Sequence, residues 1–262
     1  IDQGCKSLAP ASVDGKKVNL QPPVPTTPDD PCLVKPPVPE PVVPKQDIID
    51  SLKSYPCAQN LVRSIPNMKD SISALINKTF GNNNGSLNII FRASTDFTDS
   101  NEDGYADDAL SKLSVSTNSS TGTVLAVNGN LVITLNGDVL ATATQDYILV
   151  TLYHEALHGY LDIMRAKLTP TQFNQQFPGV TTITTTNANG SKTIKNVVND
   201  HSVMANTFLS GLTNLLKTFH PNLPSNVATA LAEGGIIDDP SILPANFAER
   251  NSSSSSKGIK CN

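Results

Sequence analysis

Tryptophan is missing from the chain altogether, aromatic residues make up only 5% of it, and histidine occurs four times. A core must therefore be built mainly from aliphatic side chains, and any imidazole chemistry must rest on very few positions. Basic character is also scarce: 19 Lys and Arg stand against 23 Asp and Glu, for a formal charge of −4. With no Lys/Arg run and no interleaving of aromatic and basic residues, the sequence argues against a nucleic-acid partner. No apolar run approaches the roughly 20 residues of a membrane span. The first residues, IDQGCKSLAP, hold neither a charged n-region nor an apolar h-region, so the expectation is an exported chain whose signal was removed, or the C-terminal piece of a longer polypeptide. Cysteines are few and spread out: Cys5, Cys32, Cys57 and Cys261, with no CxxC pair. That spacing disfavours a cysteine zinc site. An even count beside Ser/Thr/Asn-rich segments fits disulfides in an oxidising compartment, with three connectivities open, against the plainer reading of unpaired thiols.

What is present falls into three parts. Eleven of the 19 prolines precede residue 45. Proline fixes φ and lacks an N–H, so residues 1–46 are expected to form an extended, polyproline-like stalk, with a ligand for a proline-binding domain the lesser alternative. Residues 47–250 carry the folded pattern, and 251–262 read as a Ser-rich tail, disordered unless Cys261 ties it down. From Asp47 to Phe80 the apolar spacing is helical, interrupted at Pro56 and Pro66, for two or three short helices. Residues 87–94, LNIIFRAS, read as a strand. Residues 123–136, TVLAVNGNLVITLN, suggest a hairpin turning at Asn128-Gly129. A helix YILVTLYHEALHGYLDIMRAKL follows, capped by Thr144 or Asp146, then a short helix opened by Pro170. Residues 181–196 resemble a polar hairpin, and helices are expected over Ser202–Phe219 and from about Ser225 to Glu233. The fold class is α+β: a small mixed or antiparallel sheet packed on one central helix, with further helices toward the C-terminus.

That central helix contains His154-Glu155-Ala156-Leu157-His158, an H-E-x-x-H pattern. Residues i and i+4 share a helix face about 6 Å apart, so two imidazoles can reach one ion. A Zn²⁺ bound by neutral ligands lowers the pKa of its water, and an adjacent carboxylate, here Glu155, can take the proton. The pattern therefore points to hydrolysis; the plain alternatives are two core histidines or a metal-free relic. A catalytic zinc site needs a third protein ligand. The metzincin continuation would place Gly at 161 and His at 164, where this chain has Leu161 and Met164. Asp162 lies a full turn beyond His158, better suited to supporting a ligand than to being one. His201, opening a helix that can pack on the first, is the favoured ligand, with Glu233 and Asp200 as alternatives. Tyr153, Tyr160 and His220 are candidates to stabilise an oxyanion, and the sequence does not choose among them.

The runs YILVTLYHEALHGYLD, His201-Ser-Val-Met-Ala and NLPSNVATALAEGGI resemble exported HExxH proteins of Bacteroidetes-type bacteria, which look like small zincin-type metallopeptidases often found at the end of longer surface polypeptides. PCAQNLVRSIPNMKDSISALINKTF resembles the helical lead-in of the same family, so the likeness spans roughly residues 47–240. It implies a zincin-like fold, His154, His158 and His201 as zinc ligands, and Glu155 as general base. In zincin-like folds an edge strand lies over the active-site helix and pairs with an extended peptide; Leu131–Asn136 is the candidate here.

A second metal is suggested by Asp99, Asn101, Asp103, Tyr105 and Asp107, which fall at positions 1, 3, 5, 7 and 9 of a calcium loop with Gly104 at position 6. Position 12 is Leu110, so the loop lacks its closing carboxylate unless Asp108 substitutes; an acidic surface loop is the plain reading. Together these features point to a secreted or surface-borne, monomeric zinc peptidase acting on peptide or protein substrates. Alternatives are a non-catalytic adhesion module with a structural or vestigial metal, and a toxin-like effector released from a larger polypeptide.

Overall fold

The computed structural model describes residues 48–80, 87–98, 107–120, 123–186, 192–198 and 201–261, all within one compact unit, Lys45–Asn262. The proline-rich segment expected to form a stalk lies outside the described residues. Strand β1 (Ile48–Ser51) replaces the expected helical start. The reason is Pro56: the residue before a proline is pushed out of the helical region, and Tyr55 sits at φ −129°, ψ 74°. Helix α1 (Pro56–Ser64) can begin only there, leaving Ile48 and Ile49 to pair in parallel with Ile89 and Ile90. A 3-10 turn at Ile65–Asn67 leads to α2 (Ser71–Phe80), whose first free N–H groups, Ile72 and Ser73, donate to the Asp70 carboxylate at 3.0 and 2.8 Å.

Strands β2 (Leu87–Ser94), β3 (Ala109–Ser120) and β4 (Thr123–Asn136) complete a mixed sheet in the order β1-β2-β4-β3. The expected hairpin at Asn128-Gly129 is not formed. Those residues lie inside β4, paired with Ser116 and Val115, and the β3–β4 ladder continues to the Ser120–Thr123 pair. The Ser/Thr-rich β3 hid this partner: its polar alternation reads as loop, yet it gives β4 a ladder far longer than a five-residue hairpin could. The same correction applies to Leu131–Asn136. It is an interior strand between β2 and β3, with Leu131 and Ile133 fully buried, and the edge beside the central helix belongs to β3.

After α3 (Gly137–Thr142) comes the central helix α4 (Gln145–Lys167), where the Thr144 hydroxyl accepts the Tyr147 N–H at 3.3 Å. It lies on β3 and β4, close enough that a Cβ on Gly159 would fall 2.2 Å from Leu131 Cδ2. A short capped helix α5 (Pro170–Gln176) precedes a second small sheet of β5 (Thr182–Thr186), β6 (Lys192–Val197) and, later, β7 (Ile237–Asp238). The helix expected over 202–219 is split into α6 (Ser202–Thr207) and α7 (Leu209–Phe219). Phe208 at the break has its ring edge-on to Tyr160, 6.0 Å between centroids. Helices α8 (Ser225–Glu233) and α9 (Leu243–Arg250) follow. The architecture is thus α+β with small sheets. No helix among the described residues is long and apolar enough to cross a membrane.

The C-terminal segment is anchored. Cys261 is disulfide-bonded to Cys57 of α1, their Cα atoms 5.7 Å apart. Residues 251–261 therefore belong to the folded unit, and the expectation of a flexible tail gives way to its stated exception.

Candidate metal centre

Helix α4 is buried on nearly every side. Its accessible stripe runs through Thr151, His154, Glu155, His158, Asp162 and Arg165, the three-to-four spacing of one helix face. His154 and His158 come from this stripe, and His201 from the residue just before α6. The three Nε2 atoms lie 3.1, 3.2 and 3.2 Å apart, with ring centroids 4.9–5.1 Å from one another.

Hydrogen bonding alone does not explain this triangle. A neutral imidazole nitrogen either donates or accepts. Three atoms share two roles, so at least one of the three contacts must join like with like. A cation removes the conflict, because all three nitrogens then present lone pairs. The spacing agrees: tetrahedral Zn–N bonds of about 2.0–2.1 Å give N···N edges of about 3.3–3.4 Å. The three histidines form a group that could hold a metal ion. Burial first, then repulsion from His158 and His201, holds the His154 imidazole well below its ordinary pKa, in the neutral form a metal requires.

Glu155 faces β3. Burial pushes its carboxyl up to about 7, opposed by hydrogen bonds from the Ser111 hydroxyl and backbone N–H, and assisted by the charges of Asp107 and Asp108. A divalent cation nearby would reverse that shift, since its charge favours the carboxylate. Ser111 was not legible as a site residue: a serine in a Ser-rich run carries no signal until β3 is known to be the edge strand over α4.

The turn after α8 lies against the His154 ring. Gly235 adopts φ +72°, and a Cβ there would lie 3.4 Å from His154 Cε1. The double glycine Gly234-Gly235 after a helix was the available signal.

The other candidates are elsewhere. Glu233 pairs with Lys195, Oε2 to Nζ 2.8 Å, so it is not assembled with the histidines. Asp200 lies outside the described residues. Asp162 is half exposed and bridges to Arg165 at 2.9 Å. The three oxyanion candidates have recorded partners of their own. The buried Tyr153 hydroxyl meets Ser73, the Tyr160 ring stacks edge-on with Phe177 and Phe208, and His220 Nδ1 is 3.2 Å from Asp146 Oδ1 at the start of α4. Of the calcium candidates, Asp99, Asn101, Asp103 and Tyr105 lie outside the described residues. Asp107 is described, with its carbonyl accepting from Asn136 Nδ2 at 2.9 Å. Asp108, the suggested substitute, has both oxygens engaged, by Arg250 Nε at 2.7 Å and by the Tyr147 hydroxyl.

Comparison with protein-family models, with curated proteins and with solved structures gives no match.

Proposed function

We propose that this chain is a zinc-dependent peptidase of zincin type, related to the exported HExxH proteins it resembles. The observation that carries the reading is the convergence of three Nε2 atoms within 3.2 Å, with Glu155 beside them under an edge strand. Three protein ligands is the count of catalytic zinc sites, which keep a fourth position open. A Zn²⁺ held by His154, His158 and His201 would supply Lewis acidity and lower the pKa of a bound water. Glu155 accepts the proton of the attacking water and later delivers it to the leaving amine. Ser111 holds that carboxylate in place until substrate arrives. The outer edge of β3 offers backbone groups to an extended peptide, so strand addition aligns the scissile bond along α4. The Cys57–Cys261 disulfide fits an extracytoplasmic setting.

The test is Glu155→Gln assayed on unfolded protein and mixed peptides. Zinc content should stay stoichiometric while cleavage falls by about 10²–10⁴-fold. Cleavage at the wild-type rate by the variant would remove Glu155 from the mechanism. A zinc-loaded wild type that cleaves no peptide would point instead to a binding module.

A further inference from the structure

The turn that lies against His154 is flanked by an ion-pair cluster. Glu233, at the end of α8, is 1% exposed, and its Oε2 lies 2.8 Å from Lys195 Nζ on β6. The same ammonium reaches Asp239 Oδ2 at 3.0 Å. One cation thus bridges two carboxylates that flank the Gly234-Gly235 turn. A buried ion pair is weak ground for stability, because desolvation offsets most of the attraction. Its placement is more informative than its strength.

Two connections lead from this cluster to the histidines. Gly235, between the two carboxylates in sequence, lies against the His154 ring. The next residue, Ile236, accepts the Val198 N–H at 2.9 Å, and Val198 in turn accepts the His201 N–H at 3.2 Å. Val197 and Asn196 pair with Ile237 and Asp238, which fixes β6 to β7. The turn therefore abuts one candidate ligand and reaches the backbone of another through two successive hydrogen bonds.

We infer that Lys195, Glu233 and Asp239 form a staple that positions the metal centre, with Glu233 acting on His154 and His201 through the turn rather than as a ligand. Withdrawing the charge on either side loosens the turn, frees the His154 ring and lets His201 shift from the shared point. The inference rests on the histidine triad being a metal site, and its test is chosen to separate the two.

The experiment uses the full chain, stripped of metal. Zinc affinity is measured by competition with a chromophoric chelator, the Co²⁺-loaded protein is read by visible absorption, and folding is read by thermal melting of the metal-free form. Glu233→Gln should weaken zinc binding by about 10- to 100-fold, in the range of lost supporting contacts around a metal, and should shift the Co²⁺ bands. Lys195→Met gives the same test from the other partner if Glu233→Gln fails to fold. Glu249→Gln, remote from the triad, is the control: it should lower the melting temperature yet keep zinc affinity within about twofold. Folded Glu233→Gln and Lys195→Met proteins with wild-type affinity and wild-type Co²⁺ bands would overturn the staple alone. Wild-type protein that takes up neither zinc nor cobalt would overturn the metal centre, and the staple with it.

Discussion

Helix α4 carries a polar cluster at its N-terminus and another about two turns along, roughly 12 Å away at 1.5 Å per residue, and the two are built on opposite terms. At the N-terminus each buried carboxylate has hydrogen-bond donors. Asp146, fully buried, accepts the Ile259 N–H at 2.7 Å, and Glu249, also buried, accepts the N–H groups of Lys257 and Gly258 at 2.5 and 3.0 Å. The first helical N–H, of Gln145, donates to the Ile259 carbonyl at 2.7 Å. The C-terminal segment thus satisfies donors that a helix start would otherwise leave open, while two acidic groups sit at the favourable end of the helix dipole. At the histidines the reverse holds: three nitrogens converge whose three contacts cannot all be hydrogen bonds. A closed polar network is a structural joint, whereas a convergent, self-conflicting one calls for something from outside the chain.

The largest break in that contrast comes from the triad itself. His158→Ala should abolish stoichiometric zinc uptake, read by elemental analysis, while the metal-free protein keeps a melting temperature close to wild type, because the His158 side chain is only partly buried. A large loss of metal-free stability would make the triad a joint like the other cluster. Removing the disulfide should do the opposite. Cys57 and Cys261 close a loop with a sequence separation of 204, for which chain-entropy arguments give about 5 kcal/mol, the top of the observed range. The Cys57→Ser/Cys261→Ser protein should lose stability of that order in urea, yet bind zinc with nearly unchanged affinity once folded. Glu249→Gln should cost less, about 1–3 kcal/mol, the usual penalty for leaving one buried partner unmatched; an unchanged urea midpoint would mean the tail contributes nothing beyond its disulfide.

The same contrast explains what could be read from the sequence. The histidine cluster is legible because HEALH places two candidate ligands on one face by helix periodicity alone, and His201 is the favoured partner among so few histidines. The C-terminal joint was not legible. Asp146 looks like an ordinary capping acid, Glu249 like a surface residue, and the tail like a linker, since its contacts are backbone N–H groups that any residue but proline supplies. Only Cys261 hinted at an anchor. In the sheet, strongly apolar β2 is visible while the Ser/Thr-rich β3 is not, so LVITLN reads as the edge that β3 occupies. The staple is hidden for another reason: Lys195, Glu233 and Asp239 become neighbours only through the pairing of β6 with β7, a two-residue strand with too little pattern to detect.

The smallest effect, and the finest separation, is in pH. Burial is the largest influence on Asp146 and raises its carboxyl above the ordinary 3.8, against the Ile259 N–H and His220. Stability from this group is present below 3.8 and is lost as pH rises through its folded value. Asp239 behaves oppositely. Hydrogen bonds from the Ser241 backbone and side chain, then from Lys195, pull it down to about 2. Its contribution is present above 3.8 and is lost as pH falls toward about 2. Urea midpoints of the metal-free protein across the acid range should therefore differ in slope between two variants. Asp239→Asn should flatten the decline on acidification between about pH 4 and 2, whereas Asp146→Asn should flatten the decline as pH rises above about 4. The slopes carry the information, since either asparagine also alters a hydrogen bond and shifts the whole curve. If both variants changed the slope in the same sense, the two carboxylates would share one electrostatic environment, and the division between the N-terminal joint and the staple would fail.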